Sequence, residues 1–103
     1  MPAYSITEVE TVDEELAEQY VRLARAAVMR HGGRYLARGA TPIIAEGEWR
    51  AGRRLVIIEF SSMERLKAWY DSEEYAPARA LAARALRRRL LFVDGFAGQQ
   101  DAA

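Results

Sequence analysis

The sequence predicts an α+β fold, a four-stranded antiparallel sheet with its helices gathered on one face. Three observations lead there. Hydrophobic periodicity alternates between two and about 3.6 residues in the order strand, helix, strand, strand, helix, strand. The run Arg54–Phe60 is apolar on both of its faces, as a central strand must be. A chain of 103 residues also suits one domain rather than two. The expected domain covers residues 1–97, with a small, polar, frayed tail over 98–103.

The first strand is expected over Ala3–Val9, with Tyr4 and Ile6 on one face and Ser5, Thr7 and Val9 on the other. Thr11 and Glu14 have capping-box spacing, and Asp13, Glu14 and Glu15 place negative charge at a helix start. Leu16, Tyr20, Leu23, Ala27 and Val28 then recur at helical spacing, until His31-Gly32-Gly33 supplies a left-handed cap. A second strand is expected over Arg34–Arg38, broken at Gly39, with residues 40–48 prolonging it as a bulged edge. Ala51-Gly52-Arg53 reads as a hairpin turn into the strand Arg54–Phe60.

Ser61 and Glu64 repeat the capping-box spacing ahead of a helix carrying Met63, Leu66, Trp69 and Tyr70. Asp71-Ser72 interrupts that helix, and Pro77 fits the first turn of a second segment. Alanine and arginine extend this segment over 78–89, with Leu81, Ala82, Ala85, Leu86 and Leu90 as its apolar positions. The last strand is expected over Leu91–Phe96. The order β-α-β-β-α-β, with a split second helix, is the ferredoxin-like arrangement. Its sheet leaves one face uncovered, and a second copy packed sheet to sheet would cover it and enclose an apolar interior for a ligand.

Composition removes several function classes. Fifteen basic and fifteen acidic residues balance, which argues against nucleic acid or an anionic membrane as the main partner. The absence of cysteine excludes disulfides, thiolate metal sites and cysteine nucleophiles. The start Met1-Pro2-Ala3-Tyr4 has no basic region followed by an apolar run, and the apolar stretches are strand-sized, so a cytoplasmic protein is expected. Phosphate loops and dinucleotide fingerprints do not occur, and no cofactor is expected.

The segments GGRYLARG (32–39), EGEW (46–49), RRLVIIEFSS (53–62) and AWYDSEEY (68–75) together resemble the domain-of-unknown-function family DUF1330, within the dimeric α+β barrel superfamily. The resemblance runs from about Ala3 to Gly95. It implies a homodimeric barrel without a settled biochemical role. The superfamily also holds small monooxygenases, muconolactone-type isomerases and stress-responsive dimers, an analogy of fold alone.

Glu59 is the first candidate for chemistry, a carboxylate sharing a strand face with Leu55 and Ile57, the face expected to line the dimer barrel. Buried there it would serve as general acid or base, or else pair with Arg38 or Arg54 and only fix the strands. Tyr70 is the second catalytic candidate, and Tyr75 shares its capacity to donate a proton. Arg38 and Arg54 suit the grip of a carboxylate or phosphate, while Tyr35, Trp49 and Trp69 supply aromatic walls or simply core. Arg87-Arg88-Arg89 reads as a solvated helix end, and His31, without neighbouring ligands, as a helix-terminal cation. Two readings stay open. One is a cofactor-independent enzyme (isomerase, cyclase or monooxygenase-like) acting on a small apolar or acidic metabolite. The other is a non-catalytic binding or structural dimer.

Overall fold

Strands β1 (Ala3–Thr11), β2 (Arg34–Ala40), β3 (Arg54–Phe60) and β4 (Leu86–Asp94) form one antiparallel sheet in the order β2-β3-β1-β4. This computed structural model describes residues 1–96; the expected tail over 98–103 lies outside the described residues. Strand period two then sorts the side chains. Ala3, Ser5 and Thr7 stand opposite Phe60, Ile58 and Val56 on one face, and Tyr4, Ile6 and Glu8 stand opposite Glu59, Ile57 and Leu55 on the other. Helices α1 (Glu14–Arg30), α2 (Met63–Tyr70) and α3 (Ala76–Ala85) cover only the first face. The topology is the expected ferredoxin-like one, with the second helix split after Tyr70.

The core is aromatic. The ring of Trp69 stacks on Phe60 with centroids 5.2 Å apart and lies 4.5 Å from the ring of Tyr75. Leu66, Val28, Ala78 and Ala82 fill the space around them. Small residues on α1 and α3, among them Ala24, Ala27, Ala78 and Ala82, let those two helices approach each other closely. Gly33, in the turn after α1, is packed tightly as well: a Cβ there would stand 2.7 Å from Phe60 Cε1 and 2.8 Å from Val28 Cγ1. Gly32, at φ +76°, takes the left-handed position that ends α1, donating to the carbonyl of Met29.

Several boundaries differ from the sequence expectation. The N-cap of α1 is Asp13, whose Oδ1 accepts from the Leu16 amide at 3.1 Å, because β1 continues through Thr11 and leaves it no helical role. Ala24 takes the core position beside Ala27 and Val28, while Leu23 is turned outward. The cap of α2 is Ser62 rather than Ser61, accepting from the Arg65 amide at 3.1 Å. Residues 41–53 form a loop, not an extension of β2, and the turn at Gly52 leads from that loop into β3. The largest difference is at the end of α3. It stops at Ala85, and Arg87-Arg88-Arg89 belong to β4, which ends at Asp94 rather than Phe96. Pairing along the whole of β1 outweighs the helix propensity of alanine and arginine.

No helix of the described residues is long and apolar enough to cross a membrane.

Candidate functional site

Helix α1 does not lie flat against the whole sheet. Between it and the strands remains a cavity of about 630 Å³, on the helix-covered face. Its floor is Thr7, Val9, Val56, Ile58 and Leu90, and α1 closes it with Ala17, Tyr20, Val21 and Ala24. This cavity lies within one chain, on the face opposite the one expected to line a sheet-to-sheet dimer.

Three polar side chains meet in its wall. Tyr20 comes from α1, Tyr75 from the residue before α3, and Arg88 from β4, where pairing with Val9 aims it toward the helices. Arg88 Nη1 donates to Tyr20 Oη at 2.9 Å and to Tyr75 Oη at 3.1 Å. The two hydroxyls are themselves 2.9 Å apart, so one donates to the other. That uses one of their two protons. The second has no acceptor among the described residues, which leaves one O–H donor beside a fixed cation.

The electrostatics keep that donor loaded. Burial pushes the Tyr75 phenol well above the ordinary tyrosine range, with Tyr20 adding to the rise and Arg88 only partly opposing it. Burial works against the charge of Arg88, but its interactions with Tyr20 and Tyr75 outweigh that and the net direction is upward. A protonated phenol pair beside a guanidinium is suited to receive an oxyanion. Trp69 lies in the same wall, and its indole N–H is buried with no partner among the described residues.

The cavity also gathers Tyr35, Arg38 and Arg54. Tyr35 and Arg38, three residues apart, would face opposite sides of a regular strand. A register shift between Tyr35 and Ala37 sets Tyr35 opposite Ile58 and Arg38 opposite Val56, both on the covered face. The guanidinium of Arg38 lies over the Tyr35 ring, 5.3 Å from its centroid. Burial raises the Tyr35 phenol, with Arg38 opposing, so its hydroxyl too stays protonated.

The remaining expected site residues stand elsewhere. Glu59 is on the uncovered face, 25% exposed, and its carboxylate accepts from Arg34 Nη2 at 2.8 Å. Its partner is thus neither Arg38 nor Arg54. Tyr70 packs beside the cavity, edge-on to Phe92 at 5.5 Å and beneath Arg79. Trp49, in the loop before β3, donates from Nε1 to the Arg53 carbonyl at 3.2 Å and borders a more open, polar depression with Arg50, Arg53, Arg87 and Arg89, which Arg88 also reaches. His31 caps α1, and its Nε2 meets Glu74 Oε1 at 2.8 Å, a hydrogen bond that holds the Glu74 carboxyl below its ordinary value. Among the described residues no group of three or more His, Cys, Asp or Glu is placed to hold a metal ion.

Sequence reasoning missed Tyr20 and Arg88 as site residues. Tyr20 was legible only as an apolar helix position, and Arg88 only within an arginine run. Once β4 is known to begin at Leu86, alternation with Leu90 and Phe92 puts Arg88 on the inner face.

The match to the DUF1330 family, described as a domain of unknown function, spans residues 2–96, and the chain belongs to that family. No curated protein matches it in sequence. Among solved structures it is similar to a protein of unknown function from Rhodopseudomonas palustris, with TM-score 0.76 and 17% identity over 92% of this chain and 82% of that one. It is also similar to SnoaB, a cofactor-independent oxygenase from Streptomyces nogalater, with TM-score 0.66 and 7% identity over 92% and 93% of the two chains. A dimeric ferredoxin-like protein of unknown function from Thermobifida fusca gives TM-score 0.61 and 17% identity, covering 92% of each chain. At these identities the likeness is one of fold.

Proposed function

We propose that this DUF1330 chain binds a planar small molecule bearing an enol or phenol oxygen in the helix-covered cavity and stabilises its anion, as a cofactor-independent enzyme. One observation carries the reading: the Tyr20–Tyr75–Arg88 cluster offers a single uncommitted O–H donor next to a permanent cation. A bound hydroxyl placed there ionises more readily, because the guanidinium and the phenol proton favour its charged form. The resulting enolate or phenolate is the species common to proton-transfer isomerisation and to oxygenation by dioxygen. The fold likeness to a cofactor-independent oxygenase favours the second. Glu59 and Tyr70, expected to be catalytic, have no part in this proposal because neither lines the cavity.

Two further elements belong to the reading. The uncovered face carries Leu36, Leu91 and Val93 exposed, which supports a homodimer formed through that face, as does the dimeric fold relative. A non-catalytic binding dimer is the second reading, favoured by the same cavity without turnover.

The test is a calorimetric titration of the purified protein with a naphthol, in wild type and Arg88→Gln. Loss of the charged donor is expected to raise Kd about tenfold or more. An unchanged Kd would contradict the proposal. Consumption of the naphthol under air separates the enzyme from the binder.

A further inference from the structure

We infer that the ligand of this cavity carries a carboxylate at the end remote from its reacting oxygen, and that Arg38 and Arg54 hold it. The inference rests on the proposed oxyanion site and adds the class of molecule that fills it, a conjugated or aromatic hydroxy acid.

Arg38 and Arg54 both line the cavity, and both are exposed at its rim. Neither has a carboxylate within ion-pair distance among the described residues, whereas Arg34, Arg53 and Arg89 all do. Glu14 and Glu10 also border the cavity, but Glu14 pairs with neither arginine and Glu10 is engaged by Arg53 at 3.5 Å. Two guanidinium groups lining one cavity without a counter-charge suit a carboxylate, which takes two parallel N–H donors from a single arginine fork. The backbone is shaped to put both on the cavity face. Without the register shift in β2, Arg38 would fall on the other face, away from Arg54.

The sheet register supplies a length. Arg54 on β3 and Arg88 on β4 both pair with Val9 of β1, so the three residues form one row across the sheet. Adjacent strands lie just under 5 Å apart, which sets the backbones of Arg54 and Arg88 roughly 10 Å from each other. Between them the floor is Val9, with Val56 and Thr7 in the next row. A flat apolar body of two or three fused rings spans that interval, one oxygen on the Tyr20–Tyr75–Arg88 cluster and a carboxylate at the rim. The Arg38–Tyr35 stack holds its guanidinium over the ring, where it keeps its edge donors free.

The experiment compares a naphthol with the hydroxynaphthoic acid that adds a carboxylate at the far end of the same ring pair. Calorimetry is run at low salt on wild type, the double variant Arg38→Gln/Arg54→Gln, and Arg88→Gln. In wild type the acid is expected to bind about tenfold more tightly than the naphthol. The double variant should erase that ratio, and raised salt should shrink it. Arg88→Gln should weaken both compounds while leaving the ratio in place. Equal affinities in wild type, or a ratio that survives the double variant, would overturn the rim site while the response to Arg88→Gln leaves the oxyanion site standing. If neither compound responds to Arg88→Gln, the oxyanion site falls, and this inference with it. Both rim positions are exposed, so thermal melting of the double variant should match wild type.

Discussion

The two faces of the sheet use the same kinds of residue to opposite effect. On the uncovered face the strand carboxylates are matched: Arg34 meets Glu59 at 2.8 Å, and Glu8 receives Arg53 and Arg89, each at 3.1 Å, while Arg87 has no ion pair among the described residues. Arg53 is only 8% exposed, so this network is part of how the loop before β3 is anchored. What that face leaves open is apolar, with Leu91 56% exposed. On the covered face the apolar groups are satisfied by α1, α2 and α3, and the charges are not. Arg38, Arg54 and Arg88 have no carboxylate partner among the described residues, and Arg88 is held by phenols. A face with matched carboxylates and bare hydrocarbon suits another protein surface. A face with buried hydrocarbon and unpaired cations around a cavity suits a small anion.

Substitutions of apolar residues on the two faces should separate these roles sharply. Trp69→Ala removes the ring that Phe60, Tyr70 and Tyr75 pack against, and is expected to cost about 3–5 kcal/mol in chemical denaturation. That is a large share of the stability of a domain this size, about 5–15 kcal/mol. Leu91→Asp, on the open face, should leave the monomer's fold intact and shift the sedimentation profile from dimer toward monomer. Were Leu91→Asp as damaging to the monomer as Trp69→Ala, the contrast between the faces would be wrong.

The smallest effect concerns pH. Burial raises Tyr75 above the ordinary value of 10.0, so above that pH the unfolded chain releases a proton that the folded chain retains. The contribution is therefore complete below pH 10.0 and is lost as pH climbs toward the folded value. Tyr75→Phe should cost about 1 kcal/mol near neutrality from its lost hydrogen bonds. Its urea midpoint should then fall less steeply than that of wild type above pH 10.0. Parallel declines would show that the phenol is not held in its protonated form.

Much of this architecture was readable from the chain. The bounds of β3, the glycine stop after α1 and the break at Asp71-Ser72 followed from alternation, left-handed capping and proline placement. The end of α3 did not, because Leu86 and Leu90 are four apart, a spacing that shares a face in a helix and in a strand alike. Only the nine-residue pairing with β1 decides for the strand. That one boundary hid the site, since it placed Arg88 on a helix end. The cluster itself joins residues separated by 13, 55 and 68 positions, which no local pattern encodes. Tyr35, Trp69, Arg38 and Arg54 were recognisable as site candidates by residue type, but the register shift that gathers Tyr35 and Arg38 belongs to the sheet. Glu59 drew attention for its apolar neighbours, and its partner, Arg34, sits directly across on β2.

The two tryptophans allow the most direct test, because Trp69 lines the covered cavity and Trp49 lies outside it, bordering the depression beside the loop before β3. Emission would be followed during titration with the hydroxynaphthoic acid in two single-tryptophan proteins. Saturable quenching is expected in Trp49→Phe, where only Trp69 reports, and no saturable change in Trp69→Phe. Quenching confined to Trp69→Phe would place the ligand in the depression beside Trp49, outside the covered cavity, and contradict the proposed site.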